Sequence, residues 1–195
     1  MIRQLNPNEV VDEIFDLYSQ HGGSDYIGEP VSQLEHMAQT AELAEQEGYD
    51  DEVILAAFFH DIGHLCSNND QPDMKGYGAM NHEKQGAVFL KERGFSDRLV
   101  FLVQAHVAAK RYLTFKFPEY SLQLSEASRI TLSFQGGIMT KTEAEEFEKH
   151  PDFKLMLKFR TWDDCAKIKD LPVNSLQKLK EKTLNYLLSR TLVVI

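Results

Sequence analysis

Cysteine is scarce in this 195-residue chain: there are two, Cys66 and Cys165, and no CxxC pair. That excludes a zinc-thiolate knuckle and a disulfide framework as organising devices. Proline and glycine are also few, 6 and 11, and neither gathers into a linker or a low-complexity run. Basic residues are in deficit, 21 against 30 acidic ones, for a formal charge of −9. Such a balance argues against wholesale nucleic-acid binding, which needs a basic footprint to displace counterions from phosphates. A local basic pocket for a small anion is compatible with it. No apolar run approaches the roughly 20 residues that span a bilayer. The opening Met1-Ile2-Arg3-Gln4-Leu5-Asn6-Pro7 carries no apolar signal core. The expectation is a soluble, cytoplasmic protein with neither a membrane nor a nucleic-acid partner. Its length and 43% hydrophobic content suit one globular domain over 1–195.

What is present is mostly helical pattern joined by short breaks. Val10, Val11, Ile14, Phe15 and Leu17 share one side of a predicted helix from Asn8 to about Gln20. A Gly-containing loop, 21–29, follows. Ser32-Gln33-Leu34-Glu35 has capping-box spacing and opens a helix to about Gly48. Asp51 is the expected cap of the next helix, Glu52 to about His64, whose Val53-Ile54-Leu55-Ala56-Ala57-Phe58-Phe59 is too apolar for the surface. A loop from Leu65 to Met80, with Asn68 and Asn69, separates it from a helix capped by Asn81 and ending at Gly94. Ser96 caps another through about Ala109. Weaker helical patterns cover 125–134, 142–150, 152–162 and 174–189, and 110–124 has no clear assignment. The fold class expected is all-α, a helical bundle.

Five of the seven histidines fall where chemistry could use them. His36 lies within the second helix. His60, followed at once by Asp61, ends the most apolar segment, and His64 would share the face of His60 if the helix continued. His82 opens one helix and His106 lies in the last turn of the next; Asp163 follows the single tryptophan, Trp162. Singly, each has an ordinary reading, as a hydrogen-bonded core histidine or a capping aspartate. Together they could converge from five helices of a bundle, where inward side chains build metal sites. A buried, unpaired carboxylate would otherwise cost several kcal/mol. Six nitrogen and oxygen ligands without thiolate suit iron, manganese or other divalent ions better than a structural zinc site.

The order His36, His60-Asp61 and Asp163 resembles the HD-domain superfamily, and the two intervening histidines, His82 and His106, resemble its binuclear members. Most of that superfamily hydrolyses phosphate esters, so the ligands alone favour hydrolysis. Further segments resemble the HD-domain diiron oxygenases that cleave the carbon–phosphorus bond of 1-hydroxyphosphonates. They are Asp25-Tyr26-Ile27-Gly28-Glu29, His60-Asp61-Ile62-Gly63-His64, Gly76-Tyr77-Gly78 with His82-Glu83-Lys84, and His106 to Leu113. Leu124 to Arg129, Phe134-Gln135-Gly136-Gly137 and Arg160-Thr161-Trp162-Asp163 continue the match in the same order. The resemblance covers roughly 25–165.

It implies a mixed-valent Fe(II)/Fe(III) pair, with O2 as co-substrate. One iron would take His36, His60, Asp61 and Asp163, and the other bridging Asp61, His82 and His106. Tyr26, Glu29, His64 and Lys110 would be catalytic. With Ser128, Gln135 and Arg160 they would also bind the substrate. Tyr26 would occupy an iron at rest and withdraw on binding, and Glu29 would meet a substrate amine. Lys110, Arg160 and His64 match a doubly charged phosphonate. Arg160 could equally pair with Glu146 or Asp163. The substrate would be 2-amino-1-hydroxyethylphosphonate or hydroxymethylphosphonate, giving glycine or formate and phosphate, downstream of a phosphonate 1-hydroxylase. A trimethylammonium analogue, a phosphohydrolase and a non-enzymatic metal-binding domain are the alternative readings.

Overall fold

A computed structural model describes residues 6–26, 28–66 and 72–192. Ile27, Asn68 and Asn69 of the segments above lie outside the described residues. Those described form eleven helices, with no strand beyond isolated bridges at Asp25–Ser32 and Asp73–Ala79. The all-α expectation holds. In order they are α1 (Pro7–His21), α2 (Gln33–Gln46), α3 (Asp51–Phe59), α4 (Ile62–Cys66), α5 (His82–Glu92) and α6 (Asp97–Lys116). There follow α7 (Tyr120–Gln123), α8 (Glu126–Phe134), α9 (Lys141–Phe147), α10 (Phe153–Cys165) and α11 (Leu176–Leu192).

The apolar run of α3 makes it the centre of the bundle, since every residue from Val53 to Phe59 is buried. It packs against α2, α6 and α11, while α10 bridges α2 and α6 and α5 lies between α4 and α6. Tyr18 of α1 ties in by stacking on Phe58 at 4.5 Å and donating its hydroxyl to the Phe58 carbonyl at 3.1 Å. Ser32 caps α2 in a complete capping box with Glu35, which sets the entry of the helix that carries His36. Ser96 likewise caps α6, accepting from the Leu99 amide.

The structure corrects four boundaries. Asp50, not Asp51, caps α3, accepting from the Val53 amide at 2.9 Å. The predicted helix to His64 is two helices, because the His64 amide turns back to the Asp61 carbonyl at 2.9 Å, one residue short of a helical bond. The break falls on His60-Asp61, so His60 and His64 do not continue one helix face. Asn81 occupies the cap position of α5 with φ 58° and makes no side-chain cap bond. Finally, α6 runs on past Ala109 to Lys116 and stops ahead of Pro118, which puts His106 in mid-helix. Lys110 and Arg111 look like a surface break in sequence, yet Lys110 is buried.

No helix among the described residues is long and apolar enough to cross a membrane.

Candidate metal centre and pocket

Four helices and the α3–α4 break bring six ligand-type side chains to one buried point. Their ligand atoms form two groups, His36 with His60 and Asp163, and Asp61 with His82 and His106, each within 4.8 Å. All six residues are at most 3% exposed. The groups are joined by one carboxylate. Asp61 turns Oδ2 toward the Nε2 atoms of His60 (3.4 Å) and His36 (3.7 Å). Its Oδ1 faces those of His82 (3.2 Å) and His106 (3.4 Å). Asp163 Oδ1 closes the first group at 3.4 Å from His36.

The orientation of the imidazoles is decided by the backbone. The Nδ1 atoms of His36, His60, His82 and His106 lie 2.9, 2.8, 3.3 and 2.7 Å from the carbonyls of Ala166, Ala57, Ala79 and Val103. A carbonyl only accepts, so each Nδ1 carries a proton, and in the neutral imidazole that a metal requires each Nε2 turns a lone pair inward. Those lone pairs meet in twos, His36 against His60 and His82 against His106, both at 3.1 Å. Facing lone pairs repel unless a cation lies among them, so the donor set fits two metal ions, one in each group, with Asp61 between the groups. The titration of the side chains states the same demand. Burial depresses His60, but Asp61 outweighs it and lifts the group to about 9. Burial works against the Asp61 anion too, yet His60 and His82 hold it well below the usual carboxylate range. His106 is pushed down to about 3 by burial and is neutral, as a ligand must be.

A pocket opens onto this centre. Asp61, His82, His106 and Asp163 form part of its wall. The remaining residues singled out from sequence, Tyr26, Glu29, His64, Lys110, Ser128, Gln135 and Arg160, line the same pocket. Tyr26 lies flat on His36, ring centroids 4.2 Å apart, and desolvation raises its hydroxyl well above the usual phenol range. His64 stacks on His82 at 4.0 Å and accepts the Ala79 amide at Nδ1; burial takes it down to about 3. Gly78, at φ 95°, makes room for that ring, since a Cβ there would lie 2.6 Å from His64 Cε1. Lys110 donates to Thr131 Oγ1 at 3.1 Å, and burial, then Arg160, brings it down to about 7.

Of the two partners considered for Arg160, the structure contains Asp163 (2.6 Å) and adds Asp164; Glu146 pairs with Lys149 instead. Burial opposes the Arg160 charge, but Asp163 and Asp164 raise its pKa well above the ordinary guanidinium value. Glu29 accepts from Lys167 Nζ at 2.6 Å.

Sequence reasoning missed three contributors. Thr131 lies one turn past Ser128 and anchors Lys110. Gln33 lines the pocket with a buried amide oxygen that, like that of Gln135, has no partner. Lys167 reads in sequence as an ordinary solvated lysine.

Comparison with known proteins agrees with this geometry. Residues 34–150 match the HD domain family. A [1-hydroxy-2-(trimethylamino)ethyl]phosphonate dioxygenase (glycine-betaine-forming) of Leisingera caerulea is 41% identical over 170 residues, covering 87% of this chain and 86% of that protein. A hydroxymethylphosphonate dioxygenase of Gimesia maris is 40% identical over 173 residues, 88% and 85% of the two chains. An uncharacterised protein of Acanthamoeba polyphaga mimivirus is 46% identical over 182 residues, 93% and 83% respectively.

Proposed function

The chain belongs to the HD-domain family, and on that footing we propose that it is an oxygenase cleaving the C–P bond of a 1-hydroxyalkylphosphonate. The products are phosphate and a carboxylic acid. The observation that carries the reading is Asp61, whose two oxygens each face a separate pair of inward Nε2 atoms. Two relatives that align along most of the chain are named as phosphonate dioxygenases, which favours oxidation over hydrolysis. The overall change balances without an external reductant. C1 loses four electrons as its bonds to hydrogen and phosphorus break, O2 takes up those four, and both oxygen atoms end in the products.

His36, His60, Asp61 and Asp163 would hold one ion and Asp61, His82 and His106 the other. We assign the metal as iron, as a mixed-valent Fe(II)/Fe(III) pair, because the family resemblance implies it and the imidazole and carboxylate donors accommodate it. When bound, that pair supplies activation of dioxygen and a Lewis-acidic grip on the substrate. The protein's part is binding and exclusion of water. Lys110, Arg160 and His64 receive the phosphonate oxygens, with Ser128 and Gln135 as neutral partners. Burial makes these contacts strong, because charge-assisted hydrogen bonds gain in a low-dielectric pocket. Tyr26, lying over His36, is suited to cover the ion that His36 would hold until substrate replaces it, and Glu29 would meet the substituent on C1. We further read the chain as one domain over 1–195, acting in the cytoplasm downstream of a reaction that 1-hydroxylates a phosphonate.

The test is direct. Purified protein loaded with ferrous iron should consume O2 and release phosphate from a 1-hydroxyphosphonate in equal amounts, and do neither under anaerobic conditions. Equal phosphate release without O2 would return the site to hydrolysis.

A further inference from the structure

We infer that Lys167 neutralises Glu29 and thereby turns this pocket toward a substrate with no cationic group beyond C1, hydroxymethylphosphonate, and away from ammonium-bearing analogues. The inference rests on the oxygenase reading above and deepens it. Glu29 is a carboxylate in the pocket wall, and its charge could attract an ammonium. In this chain that charge is already matched. Lys167 Nζ lies 2.6 Å from Glu29 Oε1, with the two side chains only 15% and 7% exposed, so water screens the pair little. A second contact, to Ser125 Oγ at 3.5 Å, holds the ammonium at the start of α8.

Lys167 is not a loose surface lysine that swings in by chance. The chain on both sides of it is clamped to α2. The Ala166 carbonyl lies 2.9 Å from His36 Nδ1, and Gln39 grips Ile168 twice, accepting its amide and donating to its carbonyl, both at 2.9 Å. The backbone that presents Lys167 is thus fixed by a ligand histidine and its neighbour one turn on. An incoming ammonium would find a carboxylate already neutralised by Lys167, in a pocket whose wall also holds Lys110 and Arg160. It would have to draw Glu29 from Lys167 and leave that half-buried lysine without its carboxylate. A hydrogen substituent on C1 asks for neither. Lys167 does not itself line the pocket, so it is a positioning residue that acts through Glu29.

The experiment measures kcat/KM by phosphate release, on the iron-loaded full chain, for hydroxymethylphosphonate, 2-amino-1-hydroxyethylphosphonate and its trimethylammonium analogue. Wild type should prefer hydroxymethylphosphonate to either cation by about tenfold or more, equivalent to about 1.4 kcal/mol. Lys167→Met should lower that ratio about tenfold, and Lys167→Arg should keep it. The double variant Glu29→Gln with Lys167→Met restores a neutral wall and should return the ratio to within about threefold of wild type, a recovery that a merely structural role does not produce. Iron content and melting curves identify a misfolded variant. Should Lys167→Met be one, Lys167→Gln, which keeps a hydrogen-bond donor without the charge, takes its place. A wild-type preference for either cation, or an unchanged ratio in the folded, iron-loaded neutral variant, overturns the inference while leaving the oxygenase standing. Turnover of none of the three substrates overturns both.

Discussion

A carboxylate has two oxygens, and Asp61 turns each toward a different pair of imidazoles. Among the described residues no other side chain joins the two groups in this way, so Asp61→Ala should drop iron from two per chain to one or none by elemental analysis. Activity should fall more than about 100-fold, beyond what losing a residue that merely supports ligands costs. Lys110 sets a pH dependence. Burial, with Arg160 beside it, places its pKa near 7, so it is an ammonium below that pH and neutral above. The charged form is the one that holds a phosphonate. In the free enzyme kcat/KM should therefore fall as pH rises through about 7. Lys110→Met should lose that limb of the pH–rate profile and raise KM about tenfold or more, the scale of a hydrogen bond to a charged group.

At the scale of elements, the site depends on how closely α4 and α5 approach. A Cβ on Gly63 would stand 1.9 Å from the His82 carbonyl oxygen and 2.7 Å from its carbon, both backbone atoms that cannot rotate away. Gly63→Ala must push the start of α5 outward and take His82 with it. The expected result is loss of the ion held by Asp61, His82 and His106, with a destabilisation of about 1–3 kcal/mol, as for other overpacked contacts. Metal stoichiometry and denaturant unfolding check the two halves separately. The elements also show where sequence pattern runs out. The length and apolarity of α3 are legible in its unbroken hydrophobic run, and the cap of α2 in Ser32 and Glu35. The break at His60-Asp61 is not, because no glycine or proline marks it. Nor is the length of α6, because a lysine aimed into a pocket has the same letter as one in water.

For the molecule as a whole, the centre carries a thermodynamic consequence. Without ions, the inward Nε2 atoms face one another in pairs at 3.1 Å around the buried carboxylates of Asp61 and Asp163. Metal that binds the folded chain alone stabilises it by about 2.7 kcal/mol at a hundredfold excess over Kd. For a chain of this size that is about 5–10 °C in melting temperature. Chelation should lower the Tm by that amount, and ferrous iron should restore it, as followed by calorimetry. The acidic surface plays no part in this, since its charges lie outside the pocket.

Hydrophobic period in the sequence determined the helical class, and the order and spacing of His and Asp singled out six metal-binding candidates, because both are local signals. The pocket residues were indicated only by the resemblance to the phosphonate-cleaving oxygenases. Tertiary structure decided which nitrogen of each histidine turns inward, since that depends on carbonyls such as Ala166, 130 residues away from His36. It also decided the partners of the charged groups. Glu29 and Lys167 are 138 residues apart, and Arg160 is shared between Asp163 and Asp164. A charge in sequence has a sign but no neighbour; only the packed chain supplies one, and with it the polarity of the pocket wall.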